Sequence, residues 1–183
     1  MTYYLRSILL LLCFLLLLLG CGDRRSLRKN LYSFTETAVS LPEKAFLVID
    51  GKVSIAEVEK ERPALVSFYG YKDCYECEIA HLNAKYSLFT LADSLQQSFN
   101  SLIVFAPEAG EIEHTLHNLQ DEHYPFPVYV TMDDDWISTC GIPTDRRFHT
   151  FLLNESNHPV FVGDPTTTPA LMNLFVKRLK SIL

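Results

Sequence analysis

Cys74 and Cys77 are separated only by Tyr75 and Glu76, and they follow an apolar run from Ala64 to Tyr69. The run has the length and the β-branched and aromatic content of a buried strand. A helix is predicted from near Cys74, because Cys77, Ile79, Ala80, Leu82, Tyr86, Leu88 and Leu91 fall at helical spacing. Two thiols one turn apart on such a helix share a face and can close a disulfide or release a mixed one. Unpaired backbone N–H groups and the macrodipole favour an anion at the helix start. Cys74 is therefore predicted as the attacking nucleophile and Cys77 as the resolving thiol. Asp73 and Glu76 make the setting acidic, which opposes thiolate formation and predicts a reducing or weakly oxidising couple.

Other chemistries compete for the same cysteines. They could form an inert disulfide, although one closing so short a loop constrains the unfolded chain little. They could be two of four zinc ligands, but no second C-x-x-C or close H-x-x-x-H exists, and only His81 stands near enough in sequence to add a third. Cys140 reads as a half-buried free thiol, with a second resolving role as the alternative. Asp133 to Asp135 lack the alternating ligand spacing of a calcium loop and read as a solvated turn.

These residues need a scaffold. Strand patterns are read at Ala45 to Ile49 and Lys52 to Ile55 around an Asp50-Gly51 turn, which predicts a hairpin. After Pro63 come the strand Ala64 to Tyr69 and the cysteine helix, then a strand at Ser101 to Ala106, a helix at Gly110 to Gln120 and a strand at Pro127 to Thr131. A loop from Met132 to Arg147 leads to a second hairpin, Thr150 to Leu153 with Pro159 to Val162, and Pro169 to Leu183 predicts a closing amphipathic helix. This order argues for an α/β fold with a central mixed β-sheet flanked by helices on both faces.

The chain's first segment reads as an address. Arg6 precedes an apolar run from Ile8 to Leu19 that is short for a bilayer span and ends in Leu18-Leu19-Gly20-Cys21, as at a secretory cleavage site. Residues 1–20 are predicted to be a signal peptide, 21–43 an anchor and linker, and 44–183 one domain. Asp23 to Asn30 holds four cations, read as a solvated linker or as a segment resting on anionic head groups. The formal net charge is −6, and losing residues 1–20 removes only Arg6, which gives −7. Such a balance argues against a nucleic-acid partner.

Two resemblances extend this reading. Leu-Leu-Gly-Cys resembles the bacterial lipoprotein signal, which implies that Cys21 is lipidated and anchors the chain in the bacterial cell envelope, facing the periplasm. Pro63 to Tyr69 before Cys74-Tyr75-Glu76-Cys77, then Tyr124 to Val130, Phe148 to Asn154 and Val160 to Pro165, resemble the small thioredoxin-like lipoproteins of the TlpA and ResA type. That resemblance, over residues 44 to 183, implies a thioredoxin-like fold and a redox-active Cys74–Cys77 disulfide with no other cofactor. It also implies an exported protein substrate and a membrane dithiol donor.

One departure matters for the site. The family carries a cis-proline just before the strand that here begins at Thr150, and by register Phe148 or His149 stands there. Pro143 is the nearest proline, and it corresponds only if Asp145 to His149 is an insertion or part of a longer strand. A non-proline cis bond costs about 2.5–4 kcal/mol, so a trans loop and an altered substrate groove, made by Phe148, His149 and Thr150, are expected. If His149 faces the cysteines, two thiolates and an imidazole form a set suited to copper(I). Copper-delivery proteins of the Sco type use such a set on this fold, with wider cysteine spacing. The alternative function is therefore a non-catalytic binding module, carrying copper on Cys74, Cys77 and His149 or docking a partner.

Overall fold

Asp50 and Gly51 both take positive φ, 49° and 71°, as a tight two-residue hairpin turn between twisted strands requires. They join β1 (Lys44–Ile49) to β2 (Lys52–Glu57) in antiparallel register, as the sequence predicts. The computed structural model describes residues 24–58, 63–70, 73–95, 98–132 and 136–183. Cys21, the apolar run before it and Asp133 to Asp135 lie outside those residues, so their readings are not addressed by the structure. No helix among the described residues is long and apolar enough to cross a membrane.

The first described element, α1 over residues 24–35, falls where a linker is predicted. After the first hairpin the order is β3 (Ala64–Gly70), α2 (Tyr75–Ala80), α3 (Tyr86–Ser94), β4 (Asn100–Ala106), α4 (Ile112–Glu122) and β5 (Val128–Thr131). Then come α5 (Trp136–Thr139), β6 (Thr150–Leu153), β7 (Pro159–Val162) and α6 (Pro169–Leu179). The strands form one mixed sheet in the order β2-β1-β5-β4-β3-β6-β7. Strands β3, β4 and β5 run parallel, while β6 lies antiparallel to β3 and pairs with β7 as a hairpin. This is the α/β class predicted above, a central mixed sheet with helices packed on it.

Successive strand residues point to opposite faces, and both faces of the central strands β3, β4 and β6 are buried, while edge strand β2 is exposed. Val66, Phe68, Leu102, Val104, Phe151 and Leu153 share one core with Phe34, Trp136 and Phe148. On the opposite face, Leu65 and Leu152 pack with Leu88, Phe175 and Leu179, and Ile103, Phe105 and Val128 with Ile79, Leu82 and Leu119. Helices α2, α3, α4 and α6 thus supply cover for the second face. The first is covered by α1, α5 and the loop after α5, none of which the sequence pattern reads as helix.

The long helix predicted from Cys74 is interrupted. Helix α2 ends at Ala80 with His81 as its C-cap, a 3-10 turn runs over Leu82–Lys85, and α3 follows. In a 3-10 turn residues three apart eclipse one another, which puts Leu82 and Lys85 on the buried side, with Leu88 buried one step further. The Lys85 ammonium donates to Asp164 Oδ2 at 2.5 Å in the loop after β7. Burial pushes the Asp164 carboxyl up, but the hydrogen bonds and charge of Lys85 and the bonds from Thr166 outweigh it and hold it below the usual range. Helix α6 opens as predicted, with Pro169 in its first turn and Thr168 accepting from Leu171 N–H.

Candidate functional site

Strand β3 lies between β4 and β6, near the middle of the sheet, and its carboxyl end delivers the chain to Asp73 and Cys74. Asp73 closes this turn twice: its N–H donates to Gly70 O at 2.8 Å, and its Oδ2 accepts from Gly70 N–H at 2.7 Å. Cys74 follows as the N-cap of α2 in extended conformation, and Glu78 N–H donates to its carbonyl. Cys74 and Cys77 are joined as a disulfide with Cα atoms 5.3 Å apart, and both are exposed. The pair thus sits at the head of the predicted helix, accessible to another molecule.

Helix α2 spans six residues, too few to hold a fixed place by local propensity alone. Its side chains hold it. Tyr75 donates its hydroxyl to Ala106 O, at the end of β4, at 3.0 Å and rests its ring edge on Phe105. Tyr124 donates to Ile79 O at 2.5 Å, which satisfies a carbonyl in the last turn. Glu76 meets His114 of α4 at 3.2 Å, and Glu78 pairs with Arg146. Burial, reinforced by the charges of Asp73, Glu108 and Glu111, raises the Tyr75 phenol well above its ordinary value, so Tyr75 stays a neutral donor.

Beside the disulfide lies a polar cluster on the other side of β3. The Asp73 side chain is only 1% exposed, and Arg146 Nε lies 2.6 Å from its Oδ1. That contact is an ion pair, because no hydrogen bond of good geometry reaches Oδ1. His149 Nδ1 lies 3.7 Å from Asp73 Oδ2 and is buried without a hydrogen bond, while Nε2 meets Pro143 O at 3.1 Å. The imidazole packs edgewise on Phe68, ring centroids 4.9 Å apart. Burial pulls the His149 pKa down, partly offset by the Asp73 charge and the Pro143 carbonyl, so the neutral ring is favoured. Asp73, Arg146, His149, Phe68 and Pro143 line a pocket of about 60 Å³, room for roughly two waters. Ile137, Ile142 and Thr144 continue from it into a wider groove of about 590 Å³, with Glu108 on its far wall.

The predicted groove residues separate in the structure. His149 directly precedes β6, and Phe68 N–H donates to His149 O while Ser67 stands opposite Thr150. His149 and Thr150 are half-buried. Phe148 is not a groove residue: its ring is buried, edge-on to Phe34 at 5.8 Å. No cis peptide occurs among the described residues, so Pro143 and the bonds around His149 are trans. The copper set of Cys74, Cys77 and His149 does not assemble, and neither does a zinc set with His81. His149 is turned to Pro143 and Asp73, and no group of three or more His, Cys, Asp or Glu side chains among the described residues is placed to hold a metal ion. Cys140 is fully buried, with Sγ 3.3 Å from Ile137 O, and burial raises its pKa.

Sequence reading missed Arg146, which lies 73 and 68 positions from the two acids it bridges. The only local signal is the Arg146-Arg147 pair directly before Phe148-His149. Arg147 instead pairs with Asp145 at 2.8 Å.

No protein-family model and no curated protein sequence matches the chain. Among solved structures, the thioredoxin domain of a thiol-disulfide oxidoreductase from Bacteroides vulgatus is similar at 17% identity and a TM-score of 0.46, covering 78% of this chain and 99% of that one. An uncharacterized thioredoxin-like protein from Porphyromonas gingivalis is similar at 15% identity and a TM-score of 0.44, covering 80% and 94%. A thiol:disulfide interchange protein from a Bacteroides species is similar at 15% identity and a TM-score of 0.42, covering 78% and 89%.

Proposed function

We propose that this chain is a membrane-anchored thiol–disulfide oxidoreductase that reduces disulfides of exported proteins. The observation that carries the reading is the exposed Cys74–Cys77 pair at the head of α2, held at the end of a central strand. In the reduced form the Cys74 thiolate attacks one sulfur of the partner's disulfide. A mixed disulfide forms, and the other partner sulfur leaves as a thiolate that takes a proton. The Cys77 thiol, losing its proton, then attacks Cys74 Sγ; the second partner thiol is released and the Cys74–Cys77 disulfide remains. Two electrons pass to the partner, and a membrane dithiol donor returns the pair to its reduced form. His149 and Thr150 border the place where the partner's backbone would lie. Lipid on Cys21 would hold the chain on the periplasmic side of the cell envelope.

Trapping tests this reading. A Cys77→Ser chain leaves Cys74 without its resolving thiol, so a disulfide-bearing substrate protein should stay covalently attached, and dithiothreitol should release it. Cys74→Ser should capture nothing. Equal capture by the two variants, or capture by neither, would contradict the assignment.

A further inference from the structure

Helix α1 divides its residues by chemistry. At about 100° per residue, Arg24, Arg28, Tyr32, Arg25 and Lys29 fall within roughly 140° of one another, and Leu27, Leu31 and Phe34 within roughly 60°, the two arcs centred about 120° apart. The second stripe meets the protein through two of its three residues: Phe34 is buried between Phe148 and Phe151, and Leu27 packs against the same core, while Leu31, next to Arg24 around the helix, is 39% exposed. The first stripe is exposed along its whole length, Tyr32 at 70%. Docking by one face therefore presents every cation of the helix outward together with an aromatic ring.

The charge of this face is opposite to that of its surroundings. Residues 24–35 contain four cations and no acid, whereas the rest of the sequence has 12 cations against 22 acids, a net −10. Such segregation opposes general attraction to anions and localises what attraction there is. Arg24 stands three residues after Cys21, where the apolar run of Ile8 to Leu19 ends. Three residues reach about 10 Å at full extension, close to the distance of roughly 8 Å over which charges act at physiological salt.

We infer that the outward face of α1 is a binding surface for anionic phospholipid bilayers, with the four cations on the head groups and Tyr32 at the interfacial level. This adds to the attachment proposed above and is tested apart from it, in a chain of residues 22–183 that lacks both the apolar run and Cys21. Every element of the described structure lies within that chain.

Co-sedimentation with vesicles of phosphatidylglycerol mixed into phosphatidylcholine should show binding that is lost in 0.5 M salt and absent from pure phosphatidylcholine. Each cation near the surface contributes about fivefold, so the triple substitution Arg25→Gln, Arg28→Gln, Lys29→Gln should weaken binding on the order of 100-fold. The exposed pair Lys177→Gln, Lys180→Gln, in the last turn of α6 and just after it, should leave it unchanged. Equal binding to the two vesicle types, or full binding by the triple variant, would overturn the inference. So would retention on duplex DNA as strong as on the anionic vesicles. The wild-type comparison of vesicles and salt decides the matter even if the triple variant does not fold.

Discussion

Arg146 bridges two carboxylates with one guanidinium, and this sets the electrostatics beside the disulfide. Asp73 is buried and Glu78 partly so, while Arg146 itself is 62% exposed. Removing the arginine leaves a buried acceptor without its cation, a loss of about 1–3 kcal/mol. Arg146→Ala should lower the urea midpoint accordingly, and Arg146→Lys should recover only part of it, because a single ammonium does not bridge two acids as a planar fork does. His149 gives a pH signature. Burial holds its folded pKa below the ordinary 6.5, so between the two values the unfolded chain binds more protons. The stabilisation is complete above about pH 6.5, the unfolded value, and is lost as pH falls through the folded one. Urea midpoints at pH 7.5 and pH 5 should differ less in His149→Gln than in the wild type. The acidity around the dithiol was legible from Asp73 and Glu76, but its partners were not, because Arg146 reaches Asp73 and Glu78, and His114 reaches Glu76, only through tertiary structure.

Among the elements, the strands were the most legible. The run Ala64 to Tyr69 is apolar on both faces because β3 is buried on both faces, and Asp50-Gly51 marks its turn through local backbone preference alone. Helix α1 was hidden because its apolar stripe is three residues long and lies among cations. Its last turn nonetheless plugs the core: Phe34 is 3% exposed and contacts two rings. Phe34→Ala should cost about 3 kcal/mol by thermal or chemical unfolding, and an unchanged midpoint would show that α1 is not docked in solution. The break between α2 and α3 was equally illegible, since Lys85 looks like a surface residue until Asp164, 79 positions later, is brought to it. Cysteine spacing identified where the site begins, whereas the contacts that aim it arise from β4, α4 and the loop before β6.

At the scale of the molecule, the sheet order places the dithiol strand between β4 and β6, and the amino-terminal segment straps the adjoining face. Val39 N–H donates to Asn157 O, Ser40 N–H to Cys140 O, and Trp136 Nε1–H to Ser40 O, at 2.8, 3.0 and 2.8 Å. This strap seals Cys140 away from solvent and leaves Cys74 and Cys77 as the accessible cysteines among the described residues. The decisive experiment is a redox equilibration of the chain from residue 22, which contains three cysteines, in glutathione buffers, with thiols trapped and counted by intact mass. One two-electron transition is expected, in which two thiols appear together, a third becoming reactive only after denaturation. Each 30 mV in the midpoint corresponds to about 1.4 kcal/mol in the couple, so the value also fixes the direction of exchange. A pair that never closes, or that remains oxidised across the whole range, would contradict that expectation.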